Sequence, residues 1–267
     1  AGHVEAEPRA GKRPGAFCTR SFRAGESRVY MSYTGFGSDV RTLAHELGHA
    51  YHNHEMRDLR TWARQYPMTL AETASIVAET LVSDAQLDDP TATDAERLAV
   101  LDARLGQVVV YLLDIPTRFA FERAYYAERA KGEVTADRAC ALMAEAQGAI
   151  FGDALDPERR WPWYWAEKLH FFLSGRRFYN FPYTFGFLFG QGVLARARAE
   201  GVEVFHPTYV ELLRQTGRGT VEEVAREVLG VELAERAFWA DALAGSEADL
   251  AAFEALVERV TTGDAGR

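Results

Sequence analysis

The sequence predicts a mainly α-helical fold with a small β element. Apolar residues recur at helical spacing through most of the 267 residues, and strand signals are scarce. Runs of turn-forming residues, such as Asp88-Asp89-Pro90, separate the helical stretches. Because no internal repeat, low-complexity tract or linker interrupts the pattern, we expect a single domain over residues 1–267.

The chain begins with a predicted loop, strand and helix. Residues 1–25 are rich in Gly, Pro, Arg and Glu and predict a loop, whereas residues 28–33 alternate weakly, carry Val and Tyr, and predict a strand. Ser38 or Asp39 is positioned to cap a helix that runs from about residue 40.

Helical periodicity accounts for most of the remainder. Apolar residues at a 3.6-residue period predict a helix over residues 69–86. A longer helical region follows over residues 94–131, with a kink at Pro116. Further helical patterns cover residues 135–150, 161–174, 183–199, 207–216, 219–229, 231–244 and 246–261.

Charge and composition narrow the classes of partner and compartment. The net charge of −9 disfavours nucleic acid as a partner, because a phosphate backbone needs a basic face. No apolar run is long enough to span a bilayer and no signal peptide is visible, so we expect no membrane association. Cys18 and Cys140 lie far apart without CxxC spacing, which fits free thiols in a reducing compartment and predicts a cytoplasmic protein.

The segment His45-Glu46-Leu47-Gly48-His49 is a candidate metal site. Two histidines four residues apart lie on one face of a helix, so their ring nitrogens can converge on one Zn²⁺ ion. The carboxylate of Glu46 can then reach a water on the metal without binding the metal itself. The motif is short and arises by chance in on the order of 1% of chains of this length, but its apolar neighbours and Gly48 favour a metal site over two surface histidines.

A catalytic zinc site needs a third protein ligand, for which the sequence offers three candidates. Glu55 lies six residues after His49, but that arrangement requires a glycine turn where this chain has His52. His52 would spread three ligands along about 10 Å of one straight helix, so we expect it to be packed or to support a ligand. Glu72 opens the next helix and can reach across to the histidines.

Glu79 lies on the same helix face as Glu72, seven residues later. A carboxylate at this place can accept a hydrogen bond from a histidine ligand and so orient its ring. A solvated carboxylate on the helix surface is an equally good interpretation of the sequence.

Segments well beyond the histidine motif resemble a known family. They are Gly15-Ala16-Phe17-Cys18, Tyr33-Thr34-Gly35, the continuation Ala50-Tyr51-His52, Ala71-Glu72-Thr73-Ala74-Ser75, and the aromatic-rich residues 168–172 and 178–186. In these segments the sequence resembles the oligoendopeptidase F branch of the thimet oligopeptidase family of zinc metallopeptidases. The resemblance extends over nearly the whole chain, to about residue 255.

This resemblance implies a gluzincin-type catalytic domain of the neurolysin-like fold and an enzyme that hydrolyses internal bonds of short peptides. It implies that His45, His49 and Glu72 bind one Zn²⁺ ion. It also implies that Glu46 is the general base that acts on a water activated by zinc.

The same resemblance assigns a second group of residues to catalysis. His170, Tyr179 and Tyr183 fall in segments similar to the family's substrate-closing region, and would stabilise the developing oxyanion. We also expect a mobile loop near residues 175–182 that completes the site when substrate binds.

The length of the chain departs from the family pattern. Family members are about twice as long, and their N-terminal half, which forms the other wall of a channel, is absent here. We therefore expect a fragment, a processed product or one subunit of a split enzyme, with short peptides and a missing N-terminal half or second chain as partners. A peptide- or zinc-binding module without turnover, and a structural zinc protein that uses a nearby thiol such as Cys18, stay open as alternatives.

Overall fold

The structure is a computed structural model that describes residues 2–13, 15–175 and 177–264. It divides into two compact units: the first unit comprises Ala1–Arg104 and Gly186–Arg267, and the second unit is Leu105–Phe185. Both units consist mostly of helices, and the first also contains a three-stranded sheet. The predicted fold class is therefore confirmed, whereas the expected single domain over residues 1–267 stays a prediction.

The sheet of the first unit contains β1 (Val4–Glu5), β2 (Phe17–Ser21) and β3 (Glu26–Tyr30) in the order β1-β3-β2. β1 runs parallel to β3, and β2 pairs antiparallel to β3 with Cys18 opposite Val29. The strand predicted over residues 28–33 corresponds to β3, shifted by a few residues. The loop predicted over residues 1–25 was wrong in part, because β1 and β2 are stabilised by pairing with β3 and carry no alternation of their own.

The helices follow one another along the chain with few long connections. They are α1 (Gly37–Glu55), α2 (Met68–Ala71), α3 (Thr73–Leu87), α4 (Asp94–Val109), α5 (Ile115–Arg129), α6 (Ala136–Phe151), α7 (Tyr164–Glu167), α8 (Phe181–Glu200), α9 (Val202–Gln215), α10 (Val221–Val224) and α11 (Arg236–Asp264). Single π-helical segments lie at Val110–Asp114 and Ala225–Leu229, and short 3-10 turns at Thr61–Arg64, Gly152–Ala154, Pro157–Arg159 and Leu169–Phe172. No described helix has the length and apolar character needed to cross a membrane.

The start of α1 differs from the predicted cap. Phe36 is the N-cap residue, and Asp39 acts from the third helical position, where its Oδ2 accepts backbone N–H bonds from Thr34 at 2.7 Å and Gly35 at 3.0 Å. These hydrogen bonds lower the pKa of Asp39. The helix therefore begins earlier than predicted, because a carboxylate inside the first turn satisfies the donors before it.

Other elements also differ from the sequence prediction. The kink predicted at Pro116 corresponds to the π-helical segment Val110–Asp114, which runs directly into α5, where Pro116 is the second residue. The helix predicted over residues 161–174 is reduced to α7 and a 3-10 turn. The two helices predicted over residues 231–261 are one continuous helix, α11.

Each unit has its own apolar core. In the second unit, α5 and α6 pack through a cluster that consists of Phe121, Ala139, Leu142, Met143 and Ala146. In the first unit, the fully buried side chains include Met56, Leu70, Phe189, Val193, Phe205, Leu212 and Leu213. Buried apolar residues also lie in α1 and α3, for example Ala44 and Val77, so the helices that carry the histidine motif and its neighbour belong to this core.

Candidate metal centre

Helices α1 and α3 approach each other closely at Gly48. A Cβ atom at Gly48 would lie 2.5 Å from the carbonyl oxygen of Ala74 and 2.6 Å from the Cα of Ser75, so only glycine fits. His45 contacts Glu79, whereas His49 contacts Glu72, so the two helices run in opposite directions. This packing turns both histidine rings towards α3.

The three predicted metal ligands lie together. The Nε2 atoms of His45 and His49 are 3.2 Å apart, and the Oε2 atom of Glu72 lies 3.2 Å from the first and 3.5 Å from the second. Two ligand atoms that bind one tetrahedral zinc ion at about 2.05 Å stand about 3.3 Å apart. The donor triangle therefore has dimensions and N/N/O chemistry that suit a zinc ion.

Glu72 is held firmly at the break between α2 and α3. Its side chain is 7% exposed, and its Oε2 accepts a hydrogen bond from Ser75 Oγ at 3.1 Å. A Cβ at Gly186 would lie 2.8 Å from the Glu72 Cβ, so α8 packs closely against Glu72. Although burial raises the pKa of Glu72, His45 and His49 lower it overall, which keeps the carboxylate ionised.

Glu79 orients the ring of His45. Its Oε1 lies 2.5 Å from the Nδ1 of His45, so Nδ1–H donates to Glu79. The other ring nitrogen, Nε2, is then the one that faces His49 and Glu72. Although burial alone lowers the pKa of His45, the hydrogen bonds to Glu72 and Glu79 raise it to about 10. Of the two interpretations of Glu79, the geometry favours the one in which it orients a ligand.

Glu46 lies on the sheet side of α1 and is 5% exposed. The backbone N–H of Cys18 in β2 donates to its carboxylate, while its Oε2 has no hydrogen-bond partner among the described residues. Burial raises the pKa of Glu46, which the positive charge of His45 opposes. A buried carboxylate with an unpaired oxygen and a raised pKa is suited to take up a proton.

The two other candidates for the third ligand lie elsewhere. His52 is fully buried, and its Nε2 lies 3.1 Å from the Leu213 carbonyl oxygen and 2.9 Å from the Thr216 hydroxyl. Burial lowers the pKa of His52 to about 3, so its ring is neutral. Glu55 belongs to the last turn of the uninterrupted helix α1, which carries it away from His49. His52 is thus a packed histidine, as predicted.

Cys18 takes no part in the donor group. Within the described ranges, the group of metal-binding side chains around His45 consists of His45, His49 and Glu72. Burial raises the pKa of the Cys18 thiol, and Ser27 and Asn53 are its hydrogen-bond partners. This geometry gives no support to a structural zinc site that uses Cys18 as a ligand.

The second unit brings His170, Tyr179 and Tyr183 together. Their ring centroids form a nearly equilateral triangle with sides of 6.0, 5.9 and 5.8 Å. Burial, followed by the positive charges of Arg118 and Lys168, lowers the pKa of His170. In the loop predicted over residues 175–182, Arg176 lies outside the described residues. We call His170, Tyr179 and Tyr183 the ring cluster.

Sequence reasoning missed several residues that support the donor triangle. Ser75 and Gly186 hold Glu72, and the backbone of Cys18 holds Glu46. Ser75 lies three residues after Glu72, a spacing at which its hydroxyl can donate to the carboxylate. A backbone donor such as Cys18 leaves no signal in the sequence.

An HExxH helix and a glutamate at the start of the following long helix together define the gluzincin class of metallopeptidase folds. The sequence profile of Peptidase family M3 matches residues 2–242. The chain therefore belongs to peptidase family M3, and its relatives lie in the oligoendopeptidase F branch of that family.

Two curated relatives come from Lactococcus lactis. An oligoendopeptidase F homolog of L. lactis subsp. lactis strain IL1403 is 26% identical over 258 residues, which is 96% of this chain and 42% of the relative. The chromosomal oligoendopeptidase F of L. lactis subsp. cremoris is 27% identical over 186 residues, which is 69% of this chain and 30% of the relative. The chain thus spans less than half the length of the relatives it matches.

Solved structures share the fold. A crystal structure from Chlamydophila abortus superposes with a TM-score of 0.75 at 22% identity and covers 96% of this chain and 42% of that chain. Oligoendopeptidase F from Enterococcus faecium superposes with a TM-score of 0.65 at 22% identity and covers 83% of this chain and 40% of that chain. The neurolysin-like, mainly α-helical fold expected from the resemblance is therefore confirmed.

Proposed function

We propose that this chain carries the zinc-dependent catalytic centre of an endopeptidase that hydrolyses internal bonds of short peptides. The observation that carries the proposal is the donor triangle of His45, His49 and Glu72, whose sides of 3.2, 3.2 and 3.5 Å suit tetrahedral zinc. Membership of peptidase family M3 supports the same class of reaction.

The triangle would hold one Zn²⁺ ion through two imidazole nitrogens and one carboxylate oxygen. When bound, zinc polarises a peptide carbonyl and lowers the pKa of water to near neutrality. Glu79 keeps the His45 ring in the orientation that leaves Nε2 free for the metal. Manganese and cobalt also accept such ligands, so zinc is the proposal that a metal analysis must test.

Glu46 is the proposed general base. Its unpaired Oε2 would take a proton from the attacking water, and the same carboxyl group would then release that proton to the leaving amine. The hydrogen bond from the backbone N–H of Cys18 would hold the carboxylate in place during both transfers. The proton that leaves the water would therefore pass first to Glu46 and then to the amine product.

We assign the ring cluster to the oxyanion. Imidazole N–H and phenolic O–H groups are suitable donors to the negative charge that develops on the carbonyl oxygen. The clustering of His170, Tyr179 and Tyr183 in the second unit supports a joint role. The sequence resemblance supports stabilisation of the oxyanion as that role. A cytoplasmic location is also proposed, on the basis of the free thiols Cys18 and Cys140.

The test compares the chain with Glu46→Gln in a metal analysis and in a fluorogenic peptide assay. We expect about one equivalent of zinc in both proteins and cleavage by the unsubstituted chain alone, because glutamine cannot take up the proton. Glu55→Gln, a change at the end of the same helix, is the matched control and should keep both properties. Absence of bound metal at high zinc concentration would refute the proposal.

The alternative function is binding of zinc or peptide without turnover. The chain covers 42% of the length of these matched relatives, so the activity of a whole relative is only a proposal for this chain. A zinc- or peptide-binding module without turnover would bind zinc with His45, His49 and Glu72, and would cleave no peptide. The same pair of assays separates this module from the endopeptidase.

A further inference from the structure

A buried carboxylate lies in the second unit, and the proposed reaction does not use it. Glu122 in α5 is 3% exposed, and burial raises its pKa. An ionised carboxylate at such a place needs hydrogen bonds to offset its desolvation. Its partners therefore indicate what the residue does.

Both partners of Glu122 flank Tyr179 in the sequence. The side-chain amide of Asn180 donates to Glu122 Oε2 at 2.8 Å, and Asn180 is itself fully buried. The backbone N–H of Phe178 donates to the same carboxylate. One side chain of α5 thus holds the residues immediately before and after Tyr179.

The backbone that Glu122 holds is strained. Phe178 has a φ of +57°, whereas the other described residues with a positive φ are glycines. Such a conformation costs about 1–3 kcal/mol in a bulky residue and persists only when its surroundings impose it. The hydrogen bond from the Phe178 N–H to Glu122, together with the ring contacts of Phe178 with Phe119 and Tyr126, imposes it here.

The turn at Phe178 sets the direction of the next residues. Tyr179 stacks on His170 with an interplanar angle of 15°, and Tyr183 follows one helical turn after Asn180, where its N–H bonds to the Asn180 carbonyl oxygen at 3.1 Å. A change of the backbone at residues 178–180 therefore changes all three sides of the ring cluster.

We propose that Glu122 is a positioning residue that fixes the ring cluster through its hydrogen bonds to Phe178 and Asn180. The catalytic consequence rests on the proposed function, whereas the structural consequence does not. Loss of the acceptor should release residues 177–180 and let Tyr179 leave its place beside His170. The amide of a glutamine should keep the turn, since its oxygen accepts the Phe178 N–H and its nitrogen can donate to a reoriented Asn180 amide.

The first test is limited trypsin digestion of the full chain, because Arg177 is exposed directly before Phe178. We expect Glu122→Met to accelerate cleavage after Arg177 by about tenfold or more, relative to cleavage after the exposed Lys131 in the same molecules. Asn180→Leu should act in the same direction. Glu122→Gln should be cleaved at the rate of the unsubstituted chain.

The control is Glu145→Met, which removes an exposed carboxylate from α6, where it pairs with Arg138. It should leave the ratio of the two cleavages unchanged. Far-UV circular dichroism and thermal unfolding show whether each variant is folded at the digestion temperature. If Glu122→Met does not fold, Asn180→Leu and Glu122→Gln still decide the question by the same ratio.

The second test is a comparison of kcat with KM for a fluorogenic peptide. We expect Glu122→Met to lower kcat by about tenfold with little change in KM, because donors to the oxyanion act mainly in the transition state. Glu122→Gln should restore kcat. A purely structural role of Glu122 would not give this difference between methionine and glutamine.

The outcomes separate this inference from the proposed function. Cleavage after Arg177 at the unsubstituted rate in both Glu122→Met and Asn180→Leu would overturn the positioning role. Equal acceleration in Glu122→Met and Glu122→Gln would also overturn it, since charge rather than hydrogen bonding would then be the cause. If no form of the chain cleaves peptides but the proteolysis ratios are as expected, the proposed function fails and the positioning role stands.

Discussion

The donor triangle of the first unit and the ring cluster of the second unit hold their side chains in different ways. His45 and His49 lie within one long helix, and Glu72 lies at the start of the helix packed against it. In the ring cluster, His170 lies in a 3-10 turn, Tyr179 in an irregular turn and Tyr183 in the first turn of α8.

This difference has a consequence for how each region responds to mutation. A ligand on a helix keeps its direction as long as the helix packing is intact, so the donor triangle depends on contacts such as that of Gly48 with α3. Tyr179 lies in a turn that lacks a regular series of backbone hydrogen bonds. The ring cluster therefore depends on individual acceptors such as Glu122. Each region nevertheless uses one buried carboxylate as an orienting group, Glu79 in the first and Glu122 in the second.

The largest expected effect in the donor triangle is the loss of a ligand. Glu72→Ala should lower the affinity for zinc by at least about 100-fold, because two histidines alone leave the ion underligated. The measurement is a competition titration against a chelating dye at fixed pH. Glu55→Ala is the control with a carboxylate removed outside the triangle, and an unchanged affinity in Glu72→Ala would exclude Glu72 as the third ligand.

Removal of the orienting carboxylate should have a smaller effect. Glu79→Ala should lower the affinity for zinc by about 10- to 100-fold, since the His45 ring loses the acceptor that fixes its tautomer. The same titration measures it, and Glu79→Gln, which keeps an acceptor, should recover part of the loss. Equal affinity in all three proteins would mean that the helix packing alone orients His45, and would sharpen the contrast with the ring cluster.

The close approach of α1 and α3 can be tested without metal. Gly48→Ala should lower the free energy of unfolding by about 1–3 kcal/mol, because the new Cβ would lie 2.5 Å from the Ala74 carbonyl oxygen and push the helices apart. Urea denaturation of the chain in chelator measures this loss. Gly106→Ala is the matched control: Gly106 lies inside α4 with no atom near its would-be Cβ, and alanine there should stabilise by up to about 1 kcal/mol.

The helical part of the donor triangle could be predicted from the sequence for a physical reason. The spacing of His45 and His49 implies one helix face, and only the period of the helix is needed to bring their rings together. The choice of Glu72 as the third ligand needed more information, because Glu55 and His52 were also candidates in the sequence. Only the packing of α1 on α3, and the burial of His52 against Leu213 and Thr216, separates the three candidates.

Other features depend on contacts between residues far apart in the sequence. The predicted helix over residues 69–86 contains a break at Glu72, which places that side chain between α1 and α8. The strands β1 and β2 form because β3 offers them partners, so residues 1–25 alone predict only a loop. The hydrogen bond from Asn180 to Glu122 joins residues 58 apart, and no local pattern announces it.

The smallest expected effect concerns the histidine that does not bind metal. His52 has a pKa of about 3 in the folded chain, because burial disfavours its charged form, whereas an unfolded histidine titrates near 6.5. Above pH 6.5 both states are neutral and His52 adds no pH dependence to stability. Below it, only the unfolded chain binds the proton, so the free energy of unfolding should fall by about 1.4 kcal/mol per pH unit until the folded pKa is reached.

The change His52→Gln removes this single titration. The variant should be less stable than the unsubstituted chain at pH 7.5, because glutamine loses the stacking of the ring on Tyr66. Its deficit should shrink by about 1.4 kcal/mol between pH 5.5 and 4.5, since every other titrating group is common to both proteins. Urea denaturation in chelator at three pH values measures the difference. A deficit that stays constant with pH would mean that the folded chain protonates His52 as readily as the unfolded chain does, which would contradict the lowered pKa.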